Sequence, residues 1–167
     1  HLRRPLAAGV RVVAAHCASL GKDHDWDAGD KAGKVSSFAL FSRLMNEPSG
    51  ANLYGDLSAV TQRARAGEAL RRIIERGSAG GDWEGRLLNG SDYPLPGILP
   101  LFSPDQLAAE GLLEPAAAEP LAAIRDHNPL LFDFVLKRSL RAGGRRLSPR
   151  VFETRGFFIQ DQPAGAA

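Results

Sequence analysis

The chain of 167 residues contains a single cysteine, Cys17, and therefore cannot form a disulfide within itself. This excludes the small, disulfide-stabilised secreted domains and is typical of a protein in a reducing compartment. No apolar run approaches the roughly 20 residues that a membrane-spanning helix needs, and no signal-peptide pattern opens the chain. We therefore expect a cytoplasmic protein without a membrane partner.

The chain also lacks a strong charge of either sign. It has 21 basic and 19 acidic side chains, which give a net charge of +2. The basic pairs Arg71-Arg72 and Arg145-Arg146 are isolated, and no basic stripe is interleaved with aromatic residues. We therefore expect no nucleic-acid partner. The length and the hydrophobic fraction of 44% suit one globular domain with a core.

Three short apolar runs alternate with two helical patterns. Residues 10–15 are β-branched and nearly continuously apolar, which is typical of a strand buried on both faces of a parallel sheet. Residues 52–58 and 86–90 are the next strand candidates. Residues 36–46 and 63–76 repeat apolar side chains at three-to-four spacing and predict helices. This alternation predicts an α/β fold of parallel strands with right-handed crossovers.

Beyond residue 100 the pattern becomes helical. The sequence Ser103-Pro-Asp-Gln has the form of a capping box, with proline at the first helical position. Residues 114–126 predict a helix that Pro120 divides. Asn128, followed by proline, predicts the start of an apolar helix that ends near Gly143.

Polar side chains stand at the ends of the three predicted strands: His16 after the first, Asp56 with Ser58 after the second, and Asp92 after the third. The carboxyl ends of barrel strands converge on one face, so these groups can share one site. Histidine and aspartate suit a zinc-like ion, and a nearby carboxylate can take a proton from an activated water. The alternatives are that the aspartates cap the following turns and that the histidine is a hydrogen-bonded core residue.

A second acidic cluster, Asp23-His-Asp-Trp-Asp27, resembles the start of a calcium-binding loop. An EF-hand loop needs glycine at its sixth position and glutamate at its twelfth, where this chain has Ala28 and Lys34. We therefore favour a solvated loop, in which Trp26 is a candidate substrate contact.

Four segments together resemble the amidohydrolase superfamily, and more narrowly its amidohydrolase-related branch, which also contains decarboxylases. They are Val12-Val-Ala-Ala-His-Cys17, Asn52-Leu-Tyr-Gly-Asp-Leu-Ser58, Leu88-Asn-Gly-Ser-Asp-Tyr-Pro94 and Asn128-Pro-Leu-Leu-Phe-Asp133. Each is weak alone, and their order and spacing carry the resemblance, which spans about residues 4–152.

The resemblance implies a (β/α)8 TIM-like barrel with a metal at its carboxyl-terminal mouth. Residues 10–15, 52–56 and 86–91 then correspond to strands six, seven and eight. On this reading residues 1–160 are the C-terminal part of a barrel domain, with flanking helices, and residues 161–167 are a frayed tail.

The resemblance also implies the roles of two residues. Asp92 matches a metal ligand that is also the general base, and His16 matches a second metal ligand or a group that polarises the substrate. The expected cofactor is a divalent metal, zinc by the resemblance. The family's His-x-His pair is missing, since the histidines are His1, His16, His24 and His127. The prediction is thus a fragment that is inactive alone.

The parent protein is expected to be a metal-dependent hydrolase in which activated water attacks a C–N or C–O bond of a small molecule. A homo-oligomer is one option for its assembly. Two alternatives stay open. One is a non-oxidative decarboxylase on the same scaffold. The other is a non-catalytic half-barrel, a pseudo-enzyme that serves as a binding surface.

Overall fold

The computed structural model describes residues 2–29 and 33–159, which form a mixed α/β fold. The predicted tail over residues 161–167 lies outside this part of the chain. The strands are β1 (Val12–Ala14), β2 (Lys22–His24), β3 (Lys34–Ser36), β4 (Leu53–Asp56) and β5 (Leu87–Leu88). The α-helices are α1 (Arg3–Ala7), α2 (Ser37–Met45), α3 (Glu68–Arg76), α4 (Pro104–Ala109), α5 (Ala118–His127), α6 (Pro129–Ser139) and α7 (Arg155–Phe158). Within the described residues, no helix has the length and apolar character needed to cross a membrane.

A small parallel sheet carries the three predicted strands in the order β1-β4-β5. Val12 pairs with Leu53, and Asp56 pairs with Leu88, so all three carboxyl ends lie at one edge. The predicted parallel α/β arrangement is confirmed. The prediction that the first strand is buried on both faces is wrong, because Val13 is 41% exposed on a strand that ends the sheet among the described residues.

Several elements are shorter than their patterns predict, including α6, which ends at Ser139 and not near Gly143. Two of them have a visible local reason. β5 stops at Leu88 because the Asn89 N–H donates to the carbonyl of Val151, 3.0 Å away, and so leaves the sheet. α3 begins only at Glu68, because Gly67 has a φ of 104°, a conformation outside the right-handed helical region.

Side-chain caps fix two of the later helices. Ser103 accepts a hydrogen bond from the Gln106 N–H at 3.2 Å, and Asn128 accepts one from the Leu131 N–H at 3.0 Å. The predicted starts of α4 and α6 are confirmed. The predicted division at Pro120 is wrong. Pro120 is the third residue of α5, where the backbone N–H has no helical partner and proline costs little.

The acidic loop is half of an antiparallel hairpin, since β2 pairs with β3 in a region that we predicted to be irregular. Asp25 is buried and accepts two hydrogen bonds from Arg43, at 2.7 and 2.8 Å. This guanidinium lowers the pKa of Asp25 to about 2. Asp27 is bound by both Arg3 and Arg43. Arginine therefore neutralises two of the three carboxylates that a calcium ion would use.

The core lies between the parallel sheet and the helices that follow its strands. Gly55 in β4 lies at a closely packed point of this core, because a Cβ there would lie 2.7 Å from Cys17 Sγ and 2.9 Å from Phe41 Cζ. The turn after β1 can approach β4 only because this side chain is absent. Leu53 in β4 and Leu57, directly after it, are fully buried apolar residues of this core.

We predict that Gly55→Ala lowers the free energy of unfolding by about 1–3 kcal/mol, because the added methyl overpacks a site without space. The control is Gly85→Ala, since no atom lies within 4 Å of a Cβ at that position. Urea unfolding monitored by tryptophan fluorescence measures both changes. Equal midpoints for the two variants would contradict the described packing.

Candidate functional site

The predicted site residues lie on the turns that leave the three parallel strands. His16 and Cys17, directly after β1, have φ angles of 54° and 51°, and Asp92, after β5, has a φ of 58°. Left-handed backbone costs roughly 1–2 kcal/mol in residues with a Cβ, although aspartate tolerates it better than most. Such strained backbone concentrates at functional sites, where the surrounding structure holds it in place.

The turns bring His16 and Asp92 together. His16 Nε2 lies 4.0 Å from Asp92 Oδ2, and the two side chains are 25% and 34% exposed. A small molecule in solvent can therefore reach both groups. Strand ends that are distant in sequence thus form one polar cluster, as the convergence argument predicted.

Hydrogen bonds determine which imidazole nitrogen of His16 carries the proton. Nδ1 lies 3.0 Å from the carbonyl oxygen of Ser58 and 2.9 Å from its Oγ. A carbonyl only accepts, so Nδ1 is the protonated nitrogen in the neutral ring. The unprotonated Nε2 then directs its lone pair towards Asp92. A carboxylate facing a lone pair is a site that favours a cation between them.

Asp56 fixes the positions of His16 and Ser58 by hydrogen bonds. Its carboxylate accepts from the Ser58 N–H at 2.9 Å, from the Ser58 hydroxyl, and from the His16 N–H at 3.3 Å. The alternative considered for the strand-end aspartates, a cap on the following turn, therefore describes Asp56. A ligating histidine in a metal site typically has its other nitrogen fixed in this way, by a carbonyl or carboxylate.

The pair formed by His16 and Asp92 fits part of a metal centre. Metal bonds of about 2.1 Å in tetrahedral geometry place two donor atoms about 3.4 Å apart. The observed 4.0 Å between Nε2 and Oδ2 needs only a small movement. Among residues 2–29 and 33–159, however, no group of three or more His, Cys, Asp or Glu side chains is arranged to hold a metal ion. The described residues therefore offer two donors.

Two cationic residues of the site were missed in the sequence. Lys137 in α6 is completely buried and donates to the Gly90 carbonyl at 2.5 Å and to Asp133 Oδ2 at 2.6 Å. Burial lowers the pKa of Lys137 and raises that of Asp133. The detectable signal was an Asp–Lys pair at i,i+4 spacing in an otherwise apolar helical stretch.

The second is Arg65, in the turns between β4 and α3. Its Nη1 lies 3.4 Å from Ser19 Oγ, and burial lowers the pKa of the guanidinium while the charge of Asp92 raises it. Nothing in the local sequence distinguishes Arg65 from the exposed arginines around it. Its position depends on the approach of two loops.

Cys17 is next to the site but does not take part in it. The thiol is completely buried and donates to the Asp56 carbonyl at 3.3 Å, and burial raises its pKa above the ordinary value. A thiol in this state is a poor nucleophile. Cys17 is thus a small buried side chain behind the strand.

A cavity of about 260 Å³ lies beside the β2–β3 hairpin, lined among others by Trp26, Phe41 and Arg43. His16, Asp56 and Asp92 do not line it. Trp26 therefore lines a cavity to which the strand-end residues do not contribute.

In comparisons with known proteins, no protein-family model, no curated protein and no solved structure matches the chain. The resemblance to amidohydrolases accordingly rests on the four sequence segments alone and stays a prediction.

We predict that neutral His16 carries its proton on Nδ1, because the Ser58 carbonyl can only accept. Long-range ¹H–¹⁵N correlation spectra distinguish the two tautomers, and the exposed His127 is the control. A neutral His16 protonated on Nε2 would show that the lone pair does not face Asp92.

Proposed function

We propose that this chain forms the carboxyl-terminal strands of an amidohydrolase-like (β/α)8 barrel and carries part of the active site of a metal-dependent hydrolase. The substrate would be a small molecule with a C–N or C–O bond open to attack by water. Asp92 is the proposed general base, and His16 is the proposed partner that orients or polarises the substrate.

The sheet supports the barrel part of the proposal. Successive strands of a (β/α)8 barrel are parallel neighbours joined by helices, and their catalytic groups stand at the carboxyl ends. β1, β4 and β5 are parallel and adjacent in chain order, with α2 before β4 and α3 before β5. His16 and Asp92 follow the carboxyl ends of β1 and β5, and Asp56 is the last residue of β4.

The observation that carries the functional part is the 4.0 Å approach of His16 Nε2 to Asp92 Oδ2. The hydrogen bond from Nδ1 to Ser58 leaves a lone pair and a carboxylate oxygen facing one another. A divalent metal, when bound, would supply Lewis-acid activation of water and substrate. His16 and Asp92 are the residues of this chain that would hold it.

The roles of the side chains follow from their chemistry. Asp92, partly exposed and held in a left-handed turn, can accept a proton from an attacking water. His16 donates from Nδ1 to the Ser58 carbonyl, so its ring cannot rotate freely. Nε2 is thereby held facing the Asp92 carboxylate. The cytoplasmic location and the homo-oligomer remain predictions.

A decarboxylase on the same scaffold is the second candidate, and Arg65 is the observation that favours it. Its guanidinium interacts electrostatically with the Asp92 carboxylate. A fixed arginine near the reacting groups suits a substrate that carries a carboxylate. Release of carbon dioxide would then replace attack by water.

We predict that Asp92→Asn in the complete gene product lowers the hydrolytic rate by about 10²–10⁴-fold, since the amide cannot accept the proton. Asp126→Asn is the matched control, because Asp126 is 65% exposed at the end of α5. The rate is measured on a panel of chromogenic esters, amides and lactones after loading with zinc, and circular dichroism reports the fold.

Near-normal turnover of Asp92→Asn with metal bound would reject the general-base role. A wild-type protein that binds metal and releases carbon dioxide from carboxylated substrates without hydrolysing the panel supports the decarboxylase. A wild-type protein that neither binds metal nor turns over any substrate supports the non-catalytic alternative.

The barrel proposal also predicts how residues 1–167 behave when expressed alone. β1 would lack its barrel neighbour and expose an unpaired edge with Val13 at its centre, so we expect aggregation. Val13→Lys should raise the soluble monomer fraction in size-exclusion chromatography, whereas Leu130→Lys, on the exposed surface of α6, should change it little. A stable, cooperative wild-type monomer would contradict the barrel.

A further inference from the structure

A completely buried ammonium group lies directly beneath the candidate site. Lys137 in α6 has an exposed fraction of 0% and forms an i,i+4 ion pair with Asp133, 2.6 Å away. Its other described contact is outside the helix, a 2.5 Å hydrogen bond to the carbonyl of Gly90. A single charged side chain thus connects α6 to the turn that follows β5.

Stability alone does not account for such a pair. Two charges removed from water are costly, and well-packed apolar side chains of similar volume often stabilise a core as well or better. Asp133 is itself only 3% exposed, and its Oδ1 has no partner among the described residues. The pair therefore joins α6 to the core at a cost in free energy. What the pair provides in addition is a fixed position for the Gly90 carbonyl, to which Lys137 donates.

Gly90 lies where two strand ends meet. A Cβ at this position would come within 2.5 Å of Asp56 Oδ1, so the Gly90 backbone is packed against the carboxylate that orients Ser58. Two residues further along, Asp92 takes its left-handed conformation. A displacement of the Gly90 carbonyl would move Asp92 relative to His16.

The charge of Lys137 adds to the effect of its hydrogen bond, because both hold the turn after β5 close to α6. The carboxylates of Asp56 and Asp92 both favour the charged ammonium. By reciprocity the ammonium attracts both carboxylates towards the floor of the site, in a poorly solvated environment where Coulomb forces are strong. Lys137 therefore constrains the turn by a directed bond and by charge.

We propose that Lys137 is a positioning residue for Asp92: held by Asp133, it fixes the Gly90 carbonyl and thereby directs the Asp92 carboxylate towards His16 Nε2. This inference rests on the proposed function only in assigning the metal to Asp92 and His16. Lys137 itself is too deeply buried to touch a substrate.

The test replaces the whole pair, because Lys137→Met alone would leave Asp133 buried without its partner and could prevent folding. The variant Asp133→Leu/Lys137→Met removes both charges and keeps the volume. Glu68→Gln/Arg72→Gln is the matched control, since it removes an exposed i,i+4 pair from α3. Urea unfolding of the complete gene product establishes that both variants are folded.

Two measurements follow. Hydrogen–deuterium exchange of residues 89–93 reports the turn without any metal, and we expect it to become about tenfold faster in the buried-pair variant. Cobalt(II) titration followed by visible absorption reports the site, and we expect the Kd to rise about 10–100-fold, as for other residues that orient metal ligands. The exposed-pair control should change neither.

A double-mutant cycle separates positioning from a general loss of structure. If Lys137 acts through Asp92, the buried-pair substitution should change the cobalt Kd less than about twofold when Asp92 is already Asn. An effect of equal size in both backgrounds would overturn the proposal, as would unchanged exchange at residues 89–93. Faster exchange in a protein whose wild type binds no cobalt would reject the metal assignment and still support the positioning of the turn.

Discussion

The carboxylate of Asp56, at the end of the middle strand of the sheet, ties the candidate site together. It accepts hydrogen bonds from the His16 backbone on one side and from the N–H and hydroxyl of Ser58, and Ser58 in turn accepts from the imidazole. On the other side Gly90 packs against its Oδ1. One carboxylate thus relates the turns of all three strands, and networks of this kind rigidify the groups that they join.

The second constraint is electrostatic. Asp56 and Asp92 stand at the same end of the sheet, where their like charges repel one another. The arrangement contains a buried cation, Lys137, and a partly buried one, Arg65, which interacts electrostatically with Asp92. The lone pair on His16 Nε2 faces Asp92 Oδ2. A further positive charge, either a proton or a metal ion, would be stabilised between these two atoms.

Patterns with a local physical cause were predictable. The strands before His16 and Asp56 follow from β-branched or apolar runs, and the caps at Ser103 and Asn128 follow from side chains that bond the next turn of their own helix. The β2–β3 hairpin was missed because its strands are short and polar, and their pairing depends on Asp25 being held by Arg43. The contact between Asp25 and Arg43 joins residues 18 apart in the chain, and periodic patterns over a few residues do not reveal it.

The sequence by itself determined the three parallel strands, the helices between them and the placing of His16 and Asp92 at strand ends, since period, β-branching and turn chemistry act over a few residues. Only the tertiary structure decided the tautomer of His16, the supporting role of Asp56 and the presence of Lys137 beneath the site. Each of these depends on distances between residues about 40 or more apart in the chain, which packing sets and which local preferences cannot encode.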